Sequence, residues 1–460
     1  MSMGSSQSAL PLRSDSTGVD GFLVGDASQA LKQQLKSEQF FVIVTMMAAW
    51  AALAFVFSLP DRDEPLTVGG LDLLGLGKIV SRVGGLIFLM AVNLMMVRQI
   101  RIRNVVFYMS GFIAFFCWSM VTMTWSALPA VSGGQLISLA VLMLLGATIA
   151  RAVQSDHGTR MVLFLLSLLL ATRALAMVLL YFAVGAESVS REHDSFFHST
   201  DAAETASIGI IVLATAKMGF PNWLTRLIFY PGMIIFAVLF VIAQNRLTLI
   251  ITPPVFLLIF FMNGNRQGLV KIAFLASLIT PLVMLADPGL EMFYKLVGST
   301  EKYALRAGGD DIWFTFSGRT ELWEAIWQEY VQSPIVGLGY FVTSSTGELD
   351  VWYVPRNYTA HNQMFQVLAT TGIIGLALFL SGLAIPFHLV MSKILRNDSK
   401  GRAARSVAAI FLWMALWGLL NSSFSGPLST SSITFWIIVG LAIGRLRGTD
   451  EDLAAVQTET

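Results

Sequence analysis

About a dozen apolar runs, each close to the length needed to cross a bilayer, dominate this 460-residue chain. Roughly 20 helical residues span the ~30 Å hydrocarbon core, and inside it every backbone N–H and C=O must bond within its own segment. The runs fall at 40–59, 79–97, 104–127, 131–150, 161–184, 202–218, 227–245, 247–262, 269–286, 363–391, 405–421 and 431–446. That pattern implies an all-α integral membrane protein with about 12 transmembrane helices. Composition agrees: 13% of residues are charged and the mean hydropathy is +0.68, against about 25% charged in a soluble domain. A net charge of +1 gives no reason to expect nucleic acid or another polyanion as partner.

Basic residues set the orientation. With a cytoplasmic N-terminus, the inner loops hold about twice as many Lys and Arg as the outer ones, which is the positive-inside bias. Both termini are therefore expected in the cytoplasm. The expected division is a tail at 1–37, nine spans within 38–286, an outer segment at 287–361, three spans within 362–447 and a tail at 448–460. Residues 1–37 are polar and Ser/Gly-rich, with no apolar core before a small-residue cleavage site, so a disordered cytoplasmic tail is expected there. The 287–361 segment breaks the pattern of short connections, and long loops tend to carry function. Within it, TELWEAIWQEYVQSP places Leu322, Trp323, Ile326, Trp327, Tyr330 and Val331 on one helical face. A Trp-rich amphipathic helix of this kind lies in the interface or roofs a cavity.

Candidate chemistry follows from charges on the outer side that the fold does not need. Arg246, in AQNRLTL, sits between the seventh and eighth runs, where the alternative is a plain interfacial anchor. Arg319 opens the amphipathic helix in FSGRTELW, with Ser317 placed to cap it; the alternative is a solvated surface residue. Shared with the free N–H groups of a helix N-terminus, its charge suits a phosphate, which a guanidinium grips bidentately without ever deprotonating. His361, in TAHNQMFQ, precedes the tenth run. The positive helix end and nearby arginines should disfavour imidazolium, leaving a neutral ring competent as a general base, or else an ordinary surface histidine at a helix start. Lys78 and Arg82 at the outer end of the second run, and Arg173 deep in the fifth, are further substrate-binding candidates, because an intramembrane charge normally faces a polar cavity. Snorkelling accounts for Lys78. Glu204, early in the sixth run, is a candidate counter-ion, and Gly372 and Gly375 of TTGIIG are expected to permit close helix packing without chemistry.

These residues describe an outer-leaflet cavity with arginines, a neutral base and an aromatic roof, suited to an anionic lipid-linked substrate. The sequence has no Walker loop and no His/Cys cluster with ligand spacing, so neither nucleotide, metal nor other cofactor is expected. The single cysteine, Cys117, excludes an intrachain disulfide and argues against a thiolate metal site.

SGRTELW (Ser317 to Trp323), SPIVGLGYF, and AHNQMFQVLATTGIIGLALF from Ala360 together resemble the signature region of the bacterial O-antigen ligase and polysaccharide polymerase superfamily. Its hallmark is a histidine, a small polar residue, nine positions, then Gly-x-x-Gly, met here by His361, Asn362, Gly372 and Gly375. The likeness is specific over about 317–380, with support from Arg246 at an outer helix end and from the topology. Elsewhere only hydropathy agrees. The resemblance implies a metal-independent, inverting GT-C-type glycosyltransferase in the bacterial inner membrane, moving a glycan from undecaprenyl diphosphate to a sugar hydroxyl on the periplasmic face. By position, it implies that Arg246 and Arg319 grip the diphosphate, that His361 deprotonates or orients the acceptor hydroxyl, and that Asn362 lies beside the substrate.

The partners implied are an undecaprenyl-diphosphate-linked oligosaccharide donor, a glycan or lipid A–core acceptor, the lipid bilayer, and alongside them a chain-length regulator and a flippase. Polymerisation of exopolysaccharide or O-antigen repeat units is the first expectation, since SGRTELW and AHN look most like the exopolysaccharide-type polymerases. Ligation to lipid A–core is the alternative, although the compact external loop shows no dedicated core-binding subdomain; transfer to protein Ser or Thr is a third acceptor. A polytopic transporter of lipid-linked glycan is the alternative from another class, and the lack of two-fold similarity between the halves speaks against it.

Overall fold

The structure, a computed structural model, describes residues 41–49, 73–95, 102–185, 188–190, 197–216, 222–243, 245–262, 319–349, 351, 359–419, 421 and 424–447. Helix makes up 81% of it, so the class is all-α. In chain order the helices are α1 (Leu73–Met95), α2 (Ile102–Tyr108), α3 (Ser110–Thr122), α4 (Pro129–Ala152), α5 (Asp156–Val184), α6 (Ser199–Ala216), α7 (Asn222–Ala243), α8 (Arg246–Met262), α9 (Arg319–Tyr330), α10 (Gln363–Met391), α11 (Ser399–Gly418) and α12 (Thr430–Leu446). Residues 41–49 are also helical. One parallel pair, β1 (Val189–Ser190) with β2 (Phe197–His198), bridges α5 to α6.

Three helices, α4, α5 and α10, are long and apolar enough to cross a membrane unaided, and α1, α3, α7, α8 and α12 carry shorter apolar stretches. Large apolar side chains stand exposed on their outer faces, among them Leu179, Phe182, Ile234, Val241 and Phe387. In water that surface would be unfavourable; against lipid tails it is neutral. The chain is an integral membrane protein. The run at 104–127 is divided in the structure: α2 yields at Met109, and α3 finishes in a 3-10 turn at Met123–Trp125. The expected span at 269–286, most of that at 40–59, both tails and residues 287–318 of the outer segment lie outside the described residues.

The centre of the bundle is α12, in which every residue but Arg445 is buried. Ser429 and Ser432 form a reciprocal capping box at its start, the arrangement that satisfies orphan N–H groups at a helix end. Small residues let α12 meet α4 closely: a Cβ on Gly440 would fall 2.5 Å from the Gly146 carbonyl oxygen. At the far end, Arg445 reaches Asp156 (3.2 Å), Ser399 Oγ (2.7 Å) and the Gln154 carbonyl (3.3 Å), tying α12 to the starts of α5 and α11.

A break in α10 positions the outer loop. At Gly372 the backbone turns to φ 68, ψ −174, a region open essentially to glycine alone. The break leaves helical carbonyls and N–H groups without their usual partners, and the segment after α9 supplies them. Leu338 and Gly339 donate to the Ala369 and Thr370 carbonyls (3.1 and 3.0 Å), while Ile373 and Ile374 donate to Pro334 and Ile335 (3.0 and 3.4 Å). Trp118 of α3 donates its indole N–H to the Thr371 carbonyl (2.8 Å), and Trp125 donates to that of Gly337 (3.1 Å). The two glycines expected only to bring helices together thus do different work. Gly372 opens α10 so that a loop can dock in it, and Gly375 makes room beside Trp118.

Candidate functional site

His361 sits two residues ahead of α10, and its neighbours fix it from both sides. Asn362 is the N-cap: its Oδ1 accepts the Phe365 N–H at 2.9 Å. Upstream, both backbone polar atoms of Ala360 are taken by side chains. The Ala360 N–H donates to Gln366 Oε1 (2.6 Å), and the Ala360 carbonyl accepts the Trp323 indole N–H (2.7 Å). Between these points His361 adopts φ 47. A left-handed non-glycine residue is strained by about 1–3 kcal/mol and persists only where its surroundings over-determine it. Here α9 and α10 both do so.

The amphipathic helix is therefore more than a roof. Leu322, Ile326 and Tyr330 are buried, but Trp327 and Val331 stay half-exposed at 49% and 50%, so the expected apolar face divides. Trp327 rests on Phe365 with ring centroids 6.4 Å apart, seating α9 on the first turn of α10. Arg319 is the first residue of α9 and is half-buried. Trp323 lies four residues on, on the same helix face. One helix thus delivers the guanidinium and clamps the backbone that carries the imidazole.

Electrostatics in the site has the expected direction, with a reordered cause. The His361 pKa is pushed down to about 4 from its ordinary 6.5, first by burial, then by the Arg319 charge, then by His198. From the sequence, the helix end and the arginines are the expected causes. Removal from water dominates because the charged form of a ring set into the protein loses hydration. Thr359 Oγ1 stands 3.4 Å from His361 Nε2.

A second tier, not anticipated from sequence, joins this site to α12. Gln363 donates to Ser425 Oγ (2.6 Å) and accepts the Phe424 N–H (2.8 Å), and the Tyr340 hydroxyl donates to the Ser425 carbonyl. Gln363 and Gln366 are both buried. The available signal was two amides in the opening turns of an otherwise apolar helix, HNQMFQ, since buried amides are almost always hydrogen-bonded.

The remaining candidates disperse. Arg173 donates to Thr430 Oγ1 at the start of α12, within the influence of Asp201 and Glu204. Glu204 itself accepts the Ser431 N–H at 2.6 Å, placing a carboxylate on the positive end of α12. Arg173 and Glu204 thus bond to neighbouring residues of the same helix start and act on each other electrostatically there. Arg82 lies against α4, its Nη1 3.2 Å from where a Cβ on Gly134 would stand. Asn362, expected beside the substrate, spends its Oδ1 on capping. Arg246 opens α8 and Lys78 lies in α1, but their side chains, like Ser317, lie outside the described residues. The cleft bounded by Met46, Phe88, Leu89, Leu142, Leu145 and Ile433 is apolar and offers nothing to hold a diphosphate.

The arrangement sets an arginine within electrostatic reach of a largely buried imidazole whose backbone is held just ahead of α10. Residues 231–380, from within α7 to within α10, match the family model described as O-antigen ligase. Over that stretch the chain is similar to the O-antigen ligase family. The matched stretch takes in α8, α9, the docked loop, His361 and the break in α10, and it supports the superfamily that the SGRTELW and AHN segments resemble. No curated protein matches the chain.

Proposed function

We propose that this protein is an inner-membrane glycosyltransferase that moves a glycan from undecaprenyl diphosphate to a sugar hydroxyl on the periplasmic face, with both termini in the cytoplasm. The observation that carries the reading is the joint placement of Arg319 and a neutral, strained His361 by α9. In the reaction, His361 takes the proton of the acceptor hydroxyl as that oxygen attacks the anomeric carbon. The bond from the anomeric carbon to the diphosphate breaks, and its electron pair leaves with the diphosphate. Attack opposite the leaving group inverts the anomeric centre. Arg319, with Arg246 at the start of α8, meets the charge developing on the diphosphate, the kind of preorganised stabilisation that dominates many barriers. Two guanidinium charges can carry this load without a metal ion.

Polymerisation of surface-polysaccharide repeat units is the reading we favour, on the likeness of SGRTELW and AHN to exopolysaccharide-type polymerases. The family description, O-antigen ligase, favours transfer to lipid A–core as the second reading. The deciding experiment gives purified protein undecaprenyl-diphosphate oligosaccharide, alone or with lipid A–core. A ladder of lengthened lipid-linked glycan indicates a polymerase, and glycosylated core indicates a ligase. In the same assay His361→Ala should lower the rate by about 10²–10⁴, the usual worth of a positioned base, while binding undecaprenyl diphosphate nearly as the wild type does. If the variant binds donor tens of times more weakly but turns over normally once saturated, His361 is a donor ligand and the mechanism is wrong.

A further inference from the structure

Among the described residues two that are not glycine adopt positive φ, His361 at 47 and Phe341 at 66. Such a backbone persists only where its surroundings over-determine it, and residues 424–426, just ahead of α12, meet the surroundings of both. A Cβ on Gly426 would overlap the Phe341 ring, so the bare backbone there lets the ring lie against the segment. The Tyr340 hydroxyl donates to the Ser425 carbonyl. On the His361 side, Gln363 grips the segment with both ends of its amide: Nε2 donates to Ser425 Oγ (2.6 Å) and Oε1 accepts the Phe424 N–H (2.8 Å). The segment is itself tied down. Trp436 of α12 donates to the Phe424 carbonyl (3.1 Å), and the Phe424 ring stacks on Phe435 with centroids 4.9 Å apart.

The break at Gly372 makes the Gln363 contact matter to His361. The opening piece of α10, residues 363–371, cannot borrow stiffness across a backbone at φ 68, and it is held at its two ends instead. Trp118 grips the Thr371 carbonyl at the break, and Gln363 grips the lead-in to α12 at the His361 end. Gln363 adjoins Asn362, the N-cap, so its side chain fixes where the capped turn sits against the bundle. The Ala360 and Asn362 bonds set the shape of the chain about His361; the Gln363 bonds set its place. Gln363 and Ser425 are only 1% and 4% exposed, and a buried amide with donor and acceptor both engaged on one segment is rigid.

We propose that Gln363 is a positioning residue for the transfer reaction: by bonding residues 424 and 425 it holds His361 where the ring can meet the acceptor hydroxyl. The inference rests on the base reading of His361 given above, and adds to it the element against which that base is registered.

The test uses the full chain in nanodiscs with undecaprenyl-diphosphate oligosaccharide as donor. Gln363→Leu removes both bonds, and Ser425→Ala removes one while leaving Gln363 in place. A shift of about 1 Å in a reacting group can cost about a hundredfold, so kcat should fall about ten- to a hundredfold in Gln363→Leu. Ser425→Ala leaves a buried amide donor unpaired, and kcat should fall about tenfold. The double variant should be no slower than Gln363→Leu alone, because losses within one network do not add. Affinity for undecaprenyl diphosphate should stay within about threefold of the wild type. A loosened ring regains water, so the acid limb of kcat/KM should move from about 4 toward 6.5. Arg319 and His198, which also act on the ring, are untouched by these substitutions. Where Gln363→Leu fails to fold, Ser425→Ala carries the same readouts. A lower unfolding temperature with kcat and the acid limb unmoved would overturn the inference, and so would lost donor affinity with normal turnover at saturation. Transfer by His361→Ala at the wild-type rate would overturn the base reading, and this inference with it.

Discussion

Gly372→Ala should dismantle the outer site from its base, and the structure sets the size of the effect. At φ 68, ψ −174 an alanine is strained by about 1–3 kcal/mol. Its Cβ would also stand 2.1 Å from the Ile335 carbonyl oxygen and 2.6 Å from the Val336 nitrogen. These are backbone atoms, so no side chain can swing aside, and the loop must leave the break. Four backbone hydrogen bonds between residues 334–339 and 369–374 go with it, at about 0.5–1.5 kcal/mol each. The summed destabilisation of the docked loop is about 4 kcal/mol or more. Gly84→Ala in α1 is the control, because a Cβ there meets nothing within 4 Å. A mid-helix alanine in open space should be neutral or stabilising by about 0.5–1 kcal/mol. Limited proteolysis in detergent should cut Gly372→Ala within residues 333–349 at rates that leave Gly84→Ala intact, and glycan transfer should be lost with the loop. A Gly372→Ala protein as protected and as active as the control would refute the docking argument.

Two other predictions concern charge. The transfer rate should be lost as pH falls through the His361 pKa, since only the neutral ring accepts a proton. In kcat/KM, which reports the free enzyme, that loss should come near pH 4, where burial and Arg319 hold the group; a loss centred at 6.5 would show that the ring is solvated. Arg319→Lys and Arg246→Lys should each weaken transition-state binding by about 2–5 kcal/mol although charge is retained, because a point charge cannot replace a bidentate grip. Full transfer activity in both would return these residues to anchoring roles.

The class and the motif residues were legible in the sequence, for physical reasons that can be named. Hydrocarbon forces helix on any chain that crosses it, so apolar runs translate directly into α4, α5 and α10. His361 and Arg319 stood out because a chain in a membrane keeps few polar groups without use. The partners of those groups were not legible. Trp323 reads as one more apolar residue on an amphipathic face, and only the fold shows its N–H spent on Ala360. Gly372 reads as a packing residue because glycine serves both close approach and φ above zero, and periodicity cannot separate the two. Residues 104–127 read as one run because apolarity does not register the yield at Met109.

In the proposed mechanism, donor binding and base activation are coupled by charge. Burial and Arg319 both hold His361 neutral, and a ring with so low a proton affinity is a weak base. Closing lipid and glycan over the site deepens the burial, which pulls in the same direction. The diphosphate opposes it. Its negative charge masks Arg319 and acts on the ring itself, and one unit charge about 6 Å away at an effective dielectric of about 20 is worth ~3 kcal/mol, over a hundredfold in proton affinity. That exceeds what a partial further loss of hydration would subtract from a ring already largely removed from water. The base therefore strengthens when the leaving group is in place and stays weak when it is not. An acceptor hydroxyl, or a water molecule, that arrives before the donor meets an imidazole too feeble to take its proton. In that mechanism the arginine proposed to stabilise the departing diphosphate is also the group that keeps the histidine quiet until there is a diphosphate to depart.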